Sequence, residues 1–130
     1  MKCKSAVVAC IIAVLLLSCA GSTPEEQAAA AAKEYYDQLL RGDEEAFLNG
    51  KAGADSLPDD YRRELLAVYQ HHLAKMQREH GGISEVRISN ARSDTTLHLT
   101  HAFLLLCFGD STREEITVPM VECDGIWMMK

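Results

Sequence analysis

Five histidines are the residues of this 130-residue chain best suited to chemistry, because imidazole binds metal ions and transfers protons near neutral pH. His71 and His72 are neighbours in a predicted helix, about 100° apart around its axis, and do not readily face one ion. His98 and His101 differ by three positions in a predicted strand and so point to opposite faces. His80 has no His or Cys partner at zinc-site spacing, nor has any other histidine. We expect no metal site and no cofactor.

His101 is the histidine best placed for catalysis, because it interrupts the mostly apolar odd-numbered positions of a long predicted strand. If that face meets the helices, a pocket at His101 would be lined by Tyr35, Tyr36 and Tyr69. A buried His beside a Tyr can act as base and hydrogen-bond donor in proton transfer. No carboxylate on that face completes an isomerase-like pair, so a core histidine hydrogen-bonded to one tyrosine is the preferred interpretation.

Other catalytic motifs are absent from the sequence: it has no glycine-rich phosphate loop, no nucleophile elbow and no Walker pattern. Paired acids such as Asp59-Asp60 and Glu114-Glu115 fall at a helix start or at the mouth of a hairpin. Carboxylates there favour the helix dipole or solvent. We expect no catalytic residue among them, and a non-enzymatic role is preferred although an enzyme stays an alternative.

The N-terminal segment has the pattern of an export signal that ends in a lipid attachment site. A basic start precedes an apolar run over residues 6–17, which is shorter than the roughly 20 residues of a membrane span. Leu16-Leu17-Ser18-Cys19 resembles the bacterial lipobox, whose cysteine is acylated and becomes the new N-terminus. We expect residues 1–18 to be removed as a signal peptide, and residues 19–22 to form a tether from lipidated Cys19.

Two further cysteines, Cys107 and Cys123, would remain in the exported chain. The predicted hairpin between them places Cys107 opposite residue 113 and Cys123 near residue 97. The two thiols would lie on the order of 30 Å apart, at about 3.3 Å per residue. A disulfide needs Cα atoms within about 7 Å, so we expect no internal bridge.

Three helices are predicted at the start of the domain, which we assign to residues 23–130. Thr23, Pro24 and Glu26 form a capping-box pattern for the first helix. A short second helix follows Asp43, and residues 51–55 are predicted to form a loop.

The third and longest predicted helix opens at a second capping box, Ser56 to Asp59, and runs to about residue 79. Gly81-Gly82 provides its stop. Its apolar face is expected to comprise Tyr61, Leu65, Val68, Tyr69, Leu73 and Met76.

After Gly82 the apolar period changes from about 3.6 to 2, which indicates strands. Strands are predicted at residues 83–92, 95–108, 113–121 and 126–129, joined by short turns. In the strand 95–108 the odd-numbered face is expected to meet the helices, since the other face begins with Thr96, His98 and Thr100. The pattern predicts an α+β fold, with N-terminal helices packed on a curved antiparallel sheet of about four strands.

The last hairpin, Val118-Pro119-Met120-Val121-Glu122-Cys123-Asp124-Gly125-Ile126-Trp127, resembles that of small NTF2-like (cystatin-like) bacterial lipoproteins of the DUF4878 group. The resemblance implies a cone-shaped sheet closed by helices, and an address in the cell envelope more than an activity. A bulge is expected at Pro119, which cannot donate to the ladder. Trp127 is expected to pack against the helices with its indole N–H at the rim.

The net charge of the chain limits the classes of partner that it can bind. Without residues 1–18 the chain has 11 Lys/Arg against 19 Asp/Glu, a formal charge of −8. Such an acidic domain is poorly suited to nucleic acid, which needs cations at its phosphates, or to anionic lipid headgroups. Attachment to the membrane is therefore expected through the N-terminal lipid alone, since buried acyl chains hold a protein on a bilayer without basic residues.

The leading functional hypothesis is a membrane-anchored, non-enzymatic envelope lipoprotein, whose NTF2-like domain binds a partner protein or a small apolar ligand. One alternative is a small-molecule enzyme of isomerase or dehydratase type that uses His101 in the cone. Another is an immunity-type or inhibitory binder. Residues 20–24 carry no acid directly after Cys19. We therefore expect the periplasmic face of the outer membrane, with surface exposure as the alternative.

Overall fold

The computed structural model describes residues 22–130, in which three α-helices precede one sheet. The helices are α1 (Pro24–Leu40), α2 (Glu44–Asn49) and α3 (Asp59–His80), with a 3-10 turn at Ala54–Ser56. None of these helices is long and apolar enough to cross a membrane. The signal peptide predicted at residues 1–18 and the lipidation predicted at Cys19 lie outside the described residues.

The sheet has four antiparallel strands in the order β1-β2-β3-β4. They are β1 (Ile83–Asp94), β2 (Leu99–Phe108), β3 (Arg113–Cys123) and β4 (Ile126–Met129). Helices followed by an antiparallel meander confirm the predicted α+β class. The predicted β2–β3 register is also confirmed, since Cys107 pairs with Arg113; both cysteines are free thiols.

Side-chain caps determine where the first two helices begin. Thr23 Oγ1 accepts from the backbone N–H of Glu26 at 3.1 Å, and the Glu26 carboxylate accepts from the Thr23 N–H at 3.0 Å. This is the reciprocal capping box that the sequence predicts. Asp43 caps α2 with its side chain alone, accepting from the N–H of Ala46 at 3.1 Å.

Helix α3 begins differently from its prediction. The expected capping box from Ser56 is wrong, because Ser56 is held in the 3-10 turn and an extended Pro58 occupies the N-cap without a side-chain bond. The C-terminal stop is confirmed: Gly81 adopts φ 75°, a left-handed conformation in which glycine carries no Cβ penalty.

Helix α3 lies at the margin of the core, and none of its residues is fully buried. Tyr69, Leu73 and Met76 pack against the core, whereas Tyr61 and Val68 are 49% and 57% exposed. The apolar face is therefore narrower than the sequence predicts. The C-terminal end is fastened to the β2–β3 hairpin, where the Asp110 N–H donates to the His80 carbonyl at 2.9 Å.

The core lies between α1, α2 and the even-numbered face of β2. Thr100, Ala102, Leu104, Leu106 and Phe108 are all buried, whereas the alternating odd-numbered residues from His101 to Cys107 are half-exposed. The sequence-based assignment of the odd face to the helices is therefore wrong. That assignment relied on the polar residues Thr96 and His98, which belong to the β1–β2 turn and not to the strand.

Curvature enters the sheet at β1. The β1–β2 register shifts between Ile83 and Glu85 and again between Ile88 and Asn90, each shift marking a bulge or irregularity. The bulge expected at Pro119 is wrong, because the β2–β3 register is continuous there. No bulge is needed at Pro119. Its carbonyl accepts from the Lys130 N–H at 2.8 Å, so the side of Pro119 that lacks an N–H faces the end of β4. The absent hydrogen bond therefore falls at the last position of the β3–β4 ladder.

Candidate ligand-binding cleft

The three tyrosines proposed to line a pocket are structural instead: two of them contact Phe47 and the third bonds β4. Tyr36 and Tyr69 both contact the Phe47 ring edge-on, with centroids 5.0 and 5.1 Å away. The Tyr35 hydroxyl donates to the carbonyl of Trp127 at 2.6 Å. Burial raises the pKa of all three phenols, so they remain protonated at neutral pH. Tyr36 and Tyr69 join the helices to one another through Phe47, and Tyr35 joins α1 to β4.

His101 is not among these tyrosines, because it lies on the opposite face of β2. It pairs in register with Arg92 and Pro119, and its ring lies 6.4 Å from that of Phe103 on the same face. The His101 Nδ1 is buried without a hydrogen-bond partner among residues 22–130. The proposed pocket of His101 with Tyr35, Tyr36 and Tyr69 is therefore wrong in its geometry.

The remaining histidines are dispersed. His71 and His72 are exposed on α3, and His80 Nδ1 lies 3.0 Å from the carboxylate of Asp110. Within residues 22–130, no three His, Cys, Asp or Glu side chains are grouped as a metal site requires. His98 lies in the β1–β2 turn with φ 55°, and it is the one histidine of the described chain that borders the cleft described next.

An open cleft of about 410 Å³ lies on the helix-facing side of the sheet, at the end where the β1–β2 turn approaches β4. Its walls combine hydroxyls, carboxylates, an aliphatic side chain and an indole, from Ser93, Asp94, Thr95, His98, Leu99, Thr100, Glu122 and Trp127. Ligand pockets of proteins have volumes of about 300–1,000 Å³. The cleft is therefore large enough for a small molecule.

The N-terminal turn of α1 fixes one wall of this cleft. Ser93 Oγ donates to Glu25 Oε2 at 2.6 Å and lies 3.3 Å from Thr100 Oγ1. The hydrogen bond from Ser93 lowers the pKa of the Glu25 carboxyl. Because Thr100 is only 4% exposed, its hydroxyl is held in place at the cleft floor. The start of α1 and the sheet thus form one connected wall.

Trp127 forms the opposite wall, and contacts hold both its indole ring and its backbone carbonyl in place. Its indole Nε1 lies 3.4 Å from Gln27 Oε1 on α1, and its carbonyl accepts from Tyr35. The ring packs against the core, as the sequence predicts. Glu122 lies directly across the β3–β4 ladder from Trp127, and directly opposite residues have Cβ atoms about 5 Å apart.

The cleft is acidic. Asp94 and Glu122 border it, Glu25 adjoins it through Ser93, and none of the residues that line it is Lys or Arg. One oxygen of Asp94 accepts from two backbone N–H groups of the turn, those of Thr96 and Leu97, at 3.0 Å each. Glu122 forms no ion pair within the described part of the chain. Its charge is available to a ligand.

Sequence reasoning missed Ser93, Thr100 and Glu122 as residues of a site. A signal for Glu122 was present: the register of the last hairpin, turning at Asp124-Gly125, sets this acid opposite Trp127. Ser93 and Thr100 come together only once the β1–β2 turn is placed at residues 95–98, because they then form a cross-strand pair on the helix-facing side.

Comparison with known proteins identifies the fold. No family model and no curated protein matches this chain. A crystal structure from Campylobacter jejuni, described as that of an NTF2-like transpeptidase, superposes with a TM-score of 0.60 at 18% identity. The match covers 83% of this chain and 97% of the other. With helices, a four-stranded antiparallel sheet and a cleft on the helix-facing side, the chain has an NTF2-like fold.

Proposed function

We propose that this protein is a lipid-anchored lipoprotein of the bacterial cell envelope, whose NTF2-like domain binds a small ligand in the cleft beside Trp127. The observation that carries the proposal is the open cleft of about 410 Å³, bordered by hydroxyls, carboxylates and one indole. Small-molecule sites commonly combine apolar walls with a few fixed polar groups. Membership of the DUF4878 group, from the resemblance of the last hairpin, belongs to the same proposal.

Anchoring is supported by the sequence before α1. The basic start, the apolar run over residues 6–17 and Leu16-Leu17-Ser18-Cys19 form the order of a lipoprotein signal. Helix α1 begins at Pro24, so a lipid on Cys19 would hold the cleft close to the bilayer. The absence of acids from residues 20–24 favours the periplasmic face of the outer membrane.

Binding is proposed in preference to proton-transfer catalysis by His101 because of where that histidine lies. His101, the candidate base, is on the other face of the sheet from the cleft and from the three tyrosines. Proton transfer needs a base within hydrogen-bond reach of the substrate. The sequence also suggested a partner protein as the ligand. A concave site suits a small molecule better than it suits the surface of a protein.

Anchoring is tested by feeding an alkyne fatty acid to bacteria that express the full chain, then following label and protein in membrane fractions. The native protein should be labelled and sediment with membranes. Cys19→Ser should lose the label. Cys10→Ser, which changes a cysteine of the apolar run, is the matched control and should keep it. Equal labelling of Cys19→Ser and the native chain would refute the lipid anchor.

Ligand binding is tested through Trp127, the one tryptophan of the chain, whose fluorescence reports directly on the cleft. A panel of anionic, neutral and cationic metabolites should contain compounds that change this emission saturably. Amide chemical shifts should then change at Ser93, Thr100 and Glu122 and not at Phe103 on the other face. A panel without any saturable change would argue against the ligand-binding function.

A further inference from the structure

We propose that the cleft takes a small organic cation, whose positive charge lies between the Glu122 carboxylate and the indole ring of Trp127. The inference rests on the proposed ligand-binding function of this cleft and names the chemical class of its ligand. A quaternary or primary ammonium group attached to a short polar chain is the simplest member of that class.

The pairing of Glu122 with Trp127 provides the two attractions that an ammonium group needs. The residues are directly opposite in the β3–β4 ladder and both border the cleft. A cation is attracted to an indole face when it lies within about 6 Å of the ring centroid. At about 5 Å between the Cβ atoms, one cation can contact the ring and the carboxylate together.

The indole is also fixed in position before a ligand arrives. Gln27 lies at hydrogen-bond distance from its Nε1, and Tyr35 bonds its carbonyl. A platform that is already ordered loses less conformational freedom on binding than a mobile side chain does. Trp127 therefore need not rearrange to receive a cation.

The charge of the lining selects against other ligand classes. Asp94 and Glu122 are negative, Glu25 adjoins the cleft, and no Lys or Arg among the lining residues would pair with an anion. A phosphate or carboxylate ligand would meet two like charges, those of Asp94 and Glu122, against the single imidazole of His98, which costs binding free energy. A neutral ligand would gain no attraction from the carboxylate of Glu122, which is exposed to solvent.

The floor of the cleft suits the polar part of such a molecule. The hydroxyls of Ser93 and Thr100 lie side by side, 3.3 Å apart, and hydroxyl oxygens accept hydrogen bonds as well as donate them. Leu99 supplies an apolar contact beside them. A ligand that carries an ammonium group and a hydroxyl would be complementary to both parts of the lining.

The experiment compares choline with its uncharged isostere, 3,3-dimethylbutan-1-ol, by titration of the full chain in a neutral sugar-based detergent, with Trp127 fluorescence as readout. Choline should bind about 3- to 30-fold more tightly, from an exposed cation–π contact plus one exposed ion pair. Ethanolamine and agmatine extend the series to primary ammonium and guanidinium. Added salt should weaken binding of the cations and leave the alcohol unaffected.

Glu122→Gln is the diagnostic variant, because it removes the charge at an exposed position that makes no bond in the described fold. Its affinity for choline should fall about 1.5- to 5-fold while its affinity for the alcohol is unchanged. Glu114→Gln is the matched control: it lies on the same strand and the same face, at the far end, and should behave as the native chain.

Each remaining outcome contradicts the inference in a distinguishable manner. Equal affinity for choline and the alcohol, or an unchanged choline preference in Glu122→Gln, would overturn the cation class. If none of the three cations binds but an anionic or neutral compound of the panel changes Trp127 emission, the class is wrong and the ligand-binding function stands. If no compound changes that emission, both proposals fail.

Discussion

Replacement of Gly50 by alanine tests how tightly the helices are joined to β4. Gly50 ends α2 with ordinary right-handed helical backbone angles, so alanine introduces no backbone strain. A Cβ there would lie 2.5 Å from two ring carbons of Tyr35, closer than real Cβ contacts. Tyr35 cannot move away freely, because its hydroxyl bonds the Trp127 carbonyl at 2.6 Å.

The expected cost follows from these contacts. Overpacking of a well-packed site costs about 1–3 kcal/mol, and displacement of the ring would also weaken a hydrogen bond that contributes about 0.5–1.5 kcal/mol. Replacement of glycine by alanine restricts the unfolded chain, which offsets about 0.4–1 kcal/mol. We expect a net loss of about 0.5–4 kcal/mol with a centre near 2 kcal/mol, which corresponds at that centre to a fall in Tm of roughly 8–16 °C for a domain of this size.

Urea unfolding of the native chain, Gly50→Ala, Tyr35→Leu and the double variant measures this coupling. The alanine should cost much less in the Tyr35→Leu background, where the ring it meets is gone. A Gly50→Ala variant within about 0.5 kcal/mol of the native free energy of unfolding would refute the steric reasoning. Equal cost in both backgrounds would show that Tyr35 is not the obstacle.

Three further predictions concern polar groups. Tyr69→Phe removes a buried hydroxyl that has no partner among residues 22–130, so urea unfolding should show a gain of up to about 1 kcal/mol; a loss would reveal a missed bond. His101→Leu should leave cleft binding unchanged in the fluorescence titration, and a large drop would revive the enzyme hypothesis. Hydrogen bonds from Thr112, then from His80, lower the pKa of Asp110 from 3.8 to about 2. Its contribution to stability is therefore present above pH 4 and lost as the pH falls from about 4 towards 2. Asp110→Asn should flatten the stability curve in that window, and an unchanged slope would contradict the assignment.

Much of the helical half could be predicted because its signals are local. A capping box needs only Thr23, Glu26 and the residues between them, and the structure forms it as the sequence indicates. The stop at Gly81 is equally local. Ser56 shows the limit of such reasoning. It has the serine-to-acid spacing of a capping box, but it lies in a 3-10 turn, and Pro58 occupies the N-cap of α3 instead.

The faces of β2 depended on a boundary that local signals did not determine. Because strand residues alternate between faces, an assignment of faces depends on which residues count as strand. Thr96 and His98 made the even-numbered face look polar, although both lie in the turn before Leu99. Once they are removed, the even face is apolar apart from Thr100, and His101 moves out of the proposed pocket.

The cleft could not be predicted for a related reason: each of its residues already has a local explanation. Asp94 stabilises a turn, Trp127 packs on the core, and Glu122 is an exposed acid near the end of β3. These residues lie together because the β1–β2 turn pairs Ser93 with Thr100 across the two strands. The start of α1 then bonds Ser93 through Glu25. A site assembled from two hairpins and the start of a helix is determined by register and turn position, which are the features that composition and periodicity constrain least. Glu122 is the exception that makes the site testable, because among the described residues no fold contact accounts for its charge.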